Sequence, residues 1–123
     1  MSLKQQIDPI LREIVDIEGI AGVLAMNVYG NVLCSYMPSI YNLSILELMC
    51  NKLIKAMENL KAMDMDFDNM AFHYEEIRLI IYDLSHGFLI VLGLPTHSIR
   101  LVNIATFSVR NHLGKILKAI PQN

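Results

Sequence analysis

The stretch Gly19–Tyr36, GIAGVLAMNVYGNVLCSY, decides the fold that the sequence predicts. Two runs rich in Val, Leu, Met and Ala flank Tyr29-Gly30-Asn31, where the glycine can supply a positive φ, so the stretch is typical of a tight β-hairpin. Apolar side chains fall on both faces of the first run, which is the pattern of a strand that is covered on both sides. We therefore expect helices on both faces of one sheet.

The composition limits the class of protein. The chain has 123 residues, 54% of them hydrophobic and 18% charged, so residues 1–123 should form a single domain with apolar surface left for a dimer. A formal net charge of −2 gives no long-range reason to expect nucleic acid. No apolar run approaches the roughly 18 residues of a membrane span, and the N-terminus does not resemble a signal peptide. We expect no membrane insertion and a cytoplasmic location.

Two amphipathic helices flank the hairpin in sequence. A helical stripe runs through residues 3–17, where Pro9 fits best in a first turn behind Asp8 as the N-cap. The second helix begins at Ser44–Glu47, whose pattern is a capping box, and continues to about residue 63. Because this helix is apolar over more than half of its girth, one row of side chains can face the sheet and another is left for a second molecule.

The remaining sequence predicts three strands and a terminal helix. Of the strands Met70–Glu75, Ile77–Leu84 and Gly87–Leu94, the first alternates with polar residues and belongs near an edge, whereas the last is apolar on both faces and belongs at the centre. The final helix begins after Thr96 or Ser98 as its N-cap. The order αββαβββα predicts an α+β fold in which a five-stranded antiparallel sheet has helices on both faces.

The acidic segment after the second helix is the nearest approach to a metal site. Asp64-x-Asp66-x-Asp68, followed by Glu75, has the acidic spacing of a calcium loop. Asn69 stands in place of the glycine, however, and the next segment is predicted as a strand where a calcium loop of this kind needs a helix. The four histidines lie in four different elements without metal-ligand spacing. No metal is expected.

No residue pattern indicates catalysis or a bound cofactor. Cys34 and Cys50 have neither the spacing of a disulfide framework nor a local activating base, so both are interpreted as reduced, buried thiols. The segment Gly19–Gly22 lacks the spacing and the lysine of a phosphate-binding loop. We expect a protein that is not an enzyme and has no cofactor.

Two spaced motifs lead into and through the hairpin. They are Asp16-x-x-Gly19-Ile20-x-Gly22 and Asn27-x-x-Gly30-x-Val32-Leu33. Together with the capped second helix, the block of three strands and the terminal helix, they resemble the roadblock family of dynein light chains and its bacterial and archaeal relatives. The resemblance implies a roadblock/profilin-like domain that dimerises and acts as a regulator or scaffold for a small Ras-like GTPase or for a GTPase- or motor-associated complex.

The resemblance also implies where a homodimer would form. In dimers of the family, the third strand pairs with its symmetry mate and the two second helices lie side by side. The interface residues expected on this basis are Leu46, Met49, Leu53, Met57, Met70, Phe72 and Tyr74. The alternative is a PAS- or profilin-like module that senses a small molecule, which has a similar set of elements and requires a cavity of roughly 300 Å³ or more between sheet and helix.

Overall fold

A computed structural model describes residues 2–65, 69–73 and 77–119. Its elements are α1 (Leu3–Val15), β1 (Ile20–Asn27), β2 (Val32–Tyr36), α2 (Leu43–Ala62), β3 (Asn69–His73), β4 (Arg78–Asp83), β5 (Gly87–Gly93) and α3 (Ile99–Lys118). The predicted α+β order is confirmed. Tyr74 and Glu75, which were predicted to extend the third strand, lie outside the described residues. No helix within the described ranges is long and apolar enough to cross a membrane.

The five strands form one antiparallel sheet in the order β2-β1-β5-β4-β3. β5 lies at the centre and pairs with β1 from Gly93 opposite Ile20 to Gly87 opposite Asn27. Four consecutive residues of β1, Val23 to Met26, are all 0% exposed, which confirms that this strand is covered on both faces. β3 is an edge strand, as its alternation with polar residues predicts.

The two faces of the sheet are covered by different numbers of helices. On one face, α1 and α3 contribute Ile7, Ile10, Leu11, Ile14, Val102, Leu113 and Leu117 to the core. On the other face, α2 alone contributes Cys50, Ile54 and Met57. A helix is about 10 Å wide and strands lie about 4.8 Å apart, so one helix covers about two strands of the five. The large apolar residues of β1, β4 and β5 on the α2 face are nevertheless only 0–6% exposed, so the accessible apolar surface on this side lies on α2 itself and at the edge strands.

The first helix begins earlier than the sequence predicted. Ser2, and not Asp8, is its N-cap, because the Ser2 side chain accepts a hydrogen bond from the Gln5 amide while the Gln5 side chain accepts one from the Ser2 amide. Pro9 consequently lies inside the helix, where its missing N–H removes one intrahelical bond. The reciprocal capping bonds and the complete burial of Ile7 favour the earlier start. Asp8 instead accepts a hydrogen bond from the Tyr36 hydroxyl and so ties α1 to β2.

The second helix also begins before its predicted capping box. Asn42 is the N-cap, and its side-chain oxygen accepts hydrogen bonds from the amides of Ser44 (2.9 Å) and Ile45 (3.3 Å). Asparagine and serine are comparably good caps, so Asn42 can take the role predicted for Ser44 and start the helix earlier. For α3, Ser98 is the N-cap residue as predicted, although its side chain makes no capping hydrogen bond.

Candidate interaction surfaces

The structure divides the residues predicted for a dimer interface into two groups. Leu46 and Met57 are 4% and 1% exposed, because they lie in the row of α2 that faces the sheet of the same chain. The half-buried group, packed against the edge of that core, consists of Met49, Leu53, Met70 and Phe72. Tyr74 lies outside the described residues. Within a single chain, the half-buried group is the part of the predicted interface that a second molecule can reach.

One side of α2 is apolar from end to end. Helical periodicity places Ile45, Met49, Leu53, Ala56, Leu60 and Met63 on this side, which we call the α2 flank. Ile45 and Met63, near its two ends, are 65% and 71% exposed, and the four residues between them are half-buried. Leu48, on the neighbouring outer row, is 60% exposed. A continuous apolar strip of this kind marks an interaction surface more often than scattered apolar residues do.

The opposite side of α2 is polar and holds the β1–β2 hairpin. The Asn51 side-chain amide donates to the carbonyl oxygen of Gly30 at 3.2 Å and to that of Glu47 at 2.9 Å. Gly30 has a φ of +81°, and a Cβ at this position would lie 1.7 Å from the Asn51 Oδ1 atom, so the turn and the contact both require glycine. Because Asn51 fixes α2 on the hairpin side, the α2 flank faces away from the hairpin.

The edge strand β3 lies across the sheet from the hairpin. It pairs with β4 from Asn69 opposite Tyr82 to His73 opposite Arg78, and no described strand pairs with its other side. Met70 and Phe72 pack against the core under α2, on the same face of the sheet as the α2 flank. An edge of this kind is a template for a strand from another chain.

Neither cysteine has the environment of a nucleophile. Burial, together with the charge of Glu47, raises the pKa of Cys50 to about 11. Burial, together with Asp8, also raises the pKa of Cys34. Both thiols are free of disulfides, and both stay protonated at neutral pH.

Acidic and histidine side chains do not gather into a metal site in the part of the chain that the structure describes. Three residues of the calcium-loop spacing, Asp66, Asp68 and Glu75, lie outside that part. His97 lies on the loop that follows β5, and its Nε2 atom is 3.9 Å from a carboxylate oxygen of Glu18, which precedes β1.

A sensing module would need an enclosed cavity between the sheet and a helix. A cleft of about 360 Å³ lies between the β1–β2 turn and α2, with Tyr29, Asn51 and Ile54 among its lining residues. The cleft is open to solvent and is bordered by the charged Lys55 and Glu58. Its volume is within the range of ligand sites, but an open, charge-bordered cleft does not sequester a small apolar ligand.

A second exposed apolar surface lies on α3 and was not predicted from the sequence. Leu101, Ile104 and Phe107 are 63%, 63% and 60% exposed. This surface is separate from the inner side of α3, where Val102 and Leu113 are buried against α1 and the sheet. The signal that could have revealed the second surface is the three-residue spacing of the exposed side chains, which places them on one side of a helix.

The comparisons with known proteins agree with this architecture. No family model matches the chain, and no curated protein matches its sequence. A solved structure described as MglB with a tetrameric arrangement has a TM-score of 0.79 at 16% identity, covering 96% of this chain and 92% of that one. The gliding protein MglB from Thermus thermophilus also has a TM-score of 0.79 at 16% identity, covering 98% and 94%.

A third structure widens the comparison beyond MglB. A Roadblock/LC7 domain from Streptomyces avermitilis has a TM-score of 0.68 at 10% identity. The match covers 97% of this chain and 100% of that domain. At such identities the likeness is one of fold, and it extends over almost the whole chain.

Proposed function

We propose that this chain, which has the roadblock fold, is a non-enzymatic homodimeric regulator or scaffold of a small Ras-like GTPase. The observation that carries the proposal is the joint surface of the α2 flank and the edge strand β3, which is apolar and accessible in the single chain. The GTPase itself enters through the resemblance to the roadblock family.

A two-fold dimer suits this surface because each of its parts is self-complementary. An antiparallel pair of β3 strands would join two sheets into one, and the same two-fold axis would bring two α2 flanks together on one face. Met49 and Leu53, now half-buried, would become fully buried. One structural neighbour, MglB, is described in a tetrameric arrangement, which is compatible with a dimer as the smaller unit.

The dimer would then offer its GTPase a rigid surface made of two helices. The outer rows of the two α2 helices, with the exposed Leu48 in each, would lie side by side and form one continuous face. The switch loops of a small GTPase are ordered by the γ-phosphate and released on hydrolysis. A rigid face can therefore distinguish the two nucleotide states through contacts that only the ordered loops make.

The proposal is tested with small GTPases from the source cell, each loaded with GDP or with a non-hydrolysable GTP analogue, and passed over the immobilised chain. We expect retention of at least one GTPase with a preference of about tenfold for one nucleotide, which corresponds to about 1.4 kcal/mol. Leu48→Glu should abolish retention, because it places a charge on the outer face of α2. Leu101→Glu is the matched control, since it makes the same change at 63% exposure on α3 instead of 60% on α2.

Two results would contradict the proposal. One is the retention of no GTPase in either nucleotide state. The other is an equal loss of retention in Leu48→Glu and Leu101→Glu. If an ordered small molecule were also found in the cleft between the β1–β2 turn and α2, the sensing alternative would replace the proposal.

A further inference from the structure

Charged residues are divided unevenly along the chain. Every Asp and Glu lies at or before Asp83, whereas residues 84–123 contain Arg100, Arg110, Lys115 and Lys118 and no acidic residue. The chain as a whole has a formal net charge of −2, but every charged residue in 84–123 is basic. A charge asymmetry of this kind indicates a partner of opposite sign for one region of the molecule.

Three of the four basic residues of α3, Arg110, Lys115 and Lys118, line a groove on the helix's solvent side. A groove of about 560 Å³ lies between α3 and the β4–β5 turn at residues 84–86, and we call it the α3 groove. Its α3 wall includes Phe107, Arg110, Gly114, Lys115 and Lys118. The exposed apolar surface of α3, made of Leu101, Ile104 and Phe107, reaches this groove at Phe107, which is 60% exposed.

The positive charge of the α3 groove is not neutralised from within. Its carboxylate, Asp83, is already in an ion pair with Lys61 of α2 and accepts a 2.8 Å hydrogen bond from the Ser85 amide. Lys115 and Lys118 have no ion-pair partner among the described residues. Two lysines are therefore available to an acidic ligand.

Arg110 is held in place as a fixed cation on the groove wall. Its guanidinium carbon lies 4.2 Å from the centre of the Tyr82 ring. Its Nη2 donates to the carbonyl oxygen of Asn103 at 2.8 Å, and its Nε donates to Thr106 Oγ1 at 3.0 Å. Because these contacts order the side chain in advance, a ligand carboxylate would meet it without a large loss of side-chain entropy.

Gly114 keeps the middle of the groove wall open. Arg110, Gly114 and Lys118 follow one another at four-residue spacing along α3, so they share one row. Glycine inside a helix is disfavoured relative to alanine. No local packing requires it here, since a Cβ on Gly114 would meet nothing within 4 Å. The effect of this glycine is to leave space between two cations.

We propose that the α3 groove binds an acidic, extended segment of a partner protein that also carries an apolar side chain. Carboxylates of the segment would pair with Lys115 and Lys118, and its apolar side chain would cover Phe107. A groove between the β4–β5 turn and α3 suits an extended peptide better than a flat lipid surface, which would contact only the outer side of α3. The groove lies on the α3 side of the sheet, away from α2, so this site does not depend on the dimer or on the GTPase.

The test uses a short fluorescent peptide in which glutamate alternates with leucine, and a control peptide in which glutamine replaces each glutamate. Fluorescence anisotropy with the full chain should show binding of the glutamate peptide that weakens as salt is added. The glutamine peptide should bind at least about tenfold more weakly, a difference of about 1.4 kcal/mol. Equal affinity for the two peptides, or no binding of the glutamate peptide, would overturn the proposal.

Variants locate the peptide on the chain. Lys115→Glu should lower the affinity about tenfold, whereas Lys4→Glu, the same charge change on an exposed residue of α1, should leave it unchanged. Gly114→Phe should fill the groove and prevent binding, while Gly114→Ala should retain it.

The charge variants keep the test decisive if Gly114→Phe does not fold. An equal loss in Lys115→Glu and Lys4→Glu would show attraction to net charge alone and would overturn the site. Binding of the chain to phosphatidylserine vesicles, without binding of the peptide, would replace the protein segment with a membrane surface.

Discussion

The two faces of the sheet leave different kinds of apolar surface exposed. Two helices, α1 and α3, cover one face, and the apolar residues that remain exposed there, Leu101, Ile104 and Phe107, lie on the outside of α3, separate from the core. One helix, α2, covers the other face, and its apolar flank runs from the exposed Ile45 and Met63 through half-buried residues that are continuous with the core.

This difference indicates what kind of partner each surface suits. Half-buried side chains beside the edge strand β3 suit an extension of the same core, which a second copy of the chain supplies. Fully exposed side chains next to unneutralised lysines suit a polar, acidic partner that associates reversibly. The high hydrophobic content of the chain therefore leaves two separate apolar surfaces, one on α2 and β3 and the other on α3, and their surroundings differ.

The largest expected difference is between a charge placed in the buried row of α2 and a charge placed on the α2 flank. Met57→Asp should unfold the chain or cost about 3–5 kcal/mol, because it leaves a carboxylate and a cavity in the core. Ile45→Asp, at 65% exposure, should change the free energy of unfolding of the single chain by less than about 0.5 kcal/mol. Urea unfolding followed by circular dichroism measures both.

Comparable unfolding of the two variants would contradict the assignment of Met57 to the core and of Ile45 to the surface. Because a dimer's stability depends on concentration, the two proteins are compared at several concentrations. The Ile45→Asp variant should show no concentration dependence.

Gly30 in the β1–β2 turn and Gly114 inside α3 should respond to alanine in opposite ways. Gly30→Ala should destabilise the chain by about 1–3 kcal/mol, because its φ is positive and its Cβ would collide with Asn51. Gly114→Ala should stabilise it by about 0.5–1 kcal/mol, because the methyl group enters open space inside a helix. Thermal melting of both variants beside the wild-type chain checks the signs. A loss of stability in Gly114→Ala would show that the groove wall is packed and not open.

The thiol beneath α2 should make the free energy of unfolding depend on pH, but only at alkaline pH. The pKa of Cys50 is about 11 in the folded chain and 9.0 for an ordinary thiol, so the unfolded chain releases this proton first as the pH rises. The contribution of Cys50 to stability is therefore present below pH 9.0 and is lost as the pH rises toward 11. Cys50→Ala should lose less stability over this range than the wild-type chain does. Identical pH profiles of the two proteins would show that Cys50 is not desolvated.

Much of the fold could be predicted because local patterns and tertiary packing agree. The two-sided apolar pattern of β1 required helices on both faces, and the polar alternation of β3 required an edge. The early start of α1 was missed because Pro9 is a conspicuous first-turn residue, whereas Ser2 gains its role only through a reciprocal bond with Gln5.

The interaction surfaces could be predicted only in part, because their orientation depends on contacts distant in sequence. Periodicity shows that α2 has more apolar rows than a sheet can cover, but it does not show which row faces inward. The bond from Asn51 to Gly30 fixes that choice and places Leu46 and Met57 in the core. The α3 groove depends on the β4–β5 turn, which lies beside α3 only in the folded chain.

The central claim is that the chain dimerises through the α2 flank and β3. Light scattering coupled to size exclusion tests it most directly, on the wild-type chain and on two matched variants. Ile45→Asp and Ile104→Asp make the same change at 65% exposure on α2 and 63% exposure on α3.

We expect a wild-type mass of about 28 kDa, twice the 14.0 kDa of one chain, as for a closed two-fold dimer. Ile104→Asp should keep this mass, and Ile45→Asp should fall to 14.0 kDa. A wild-type mass of 14.0 kDa, or a dimer that Ile104→Asp disrupts and Ile45→Asp does not, would contradict the claim.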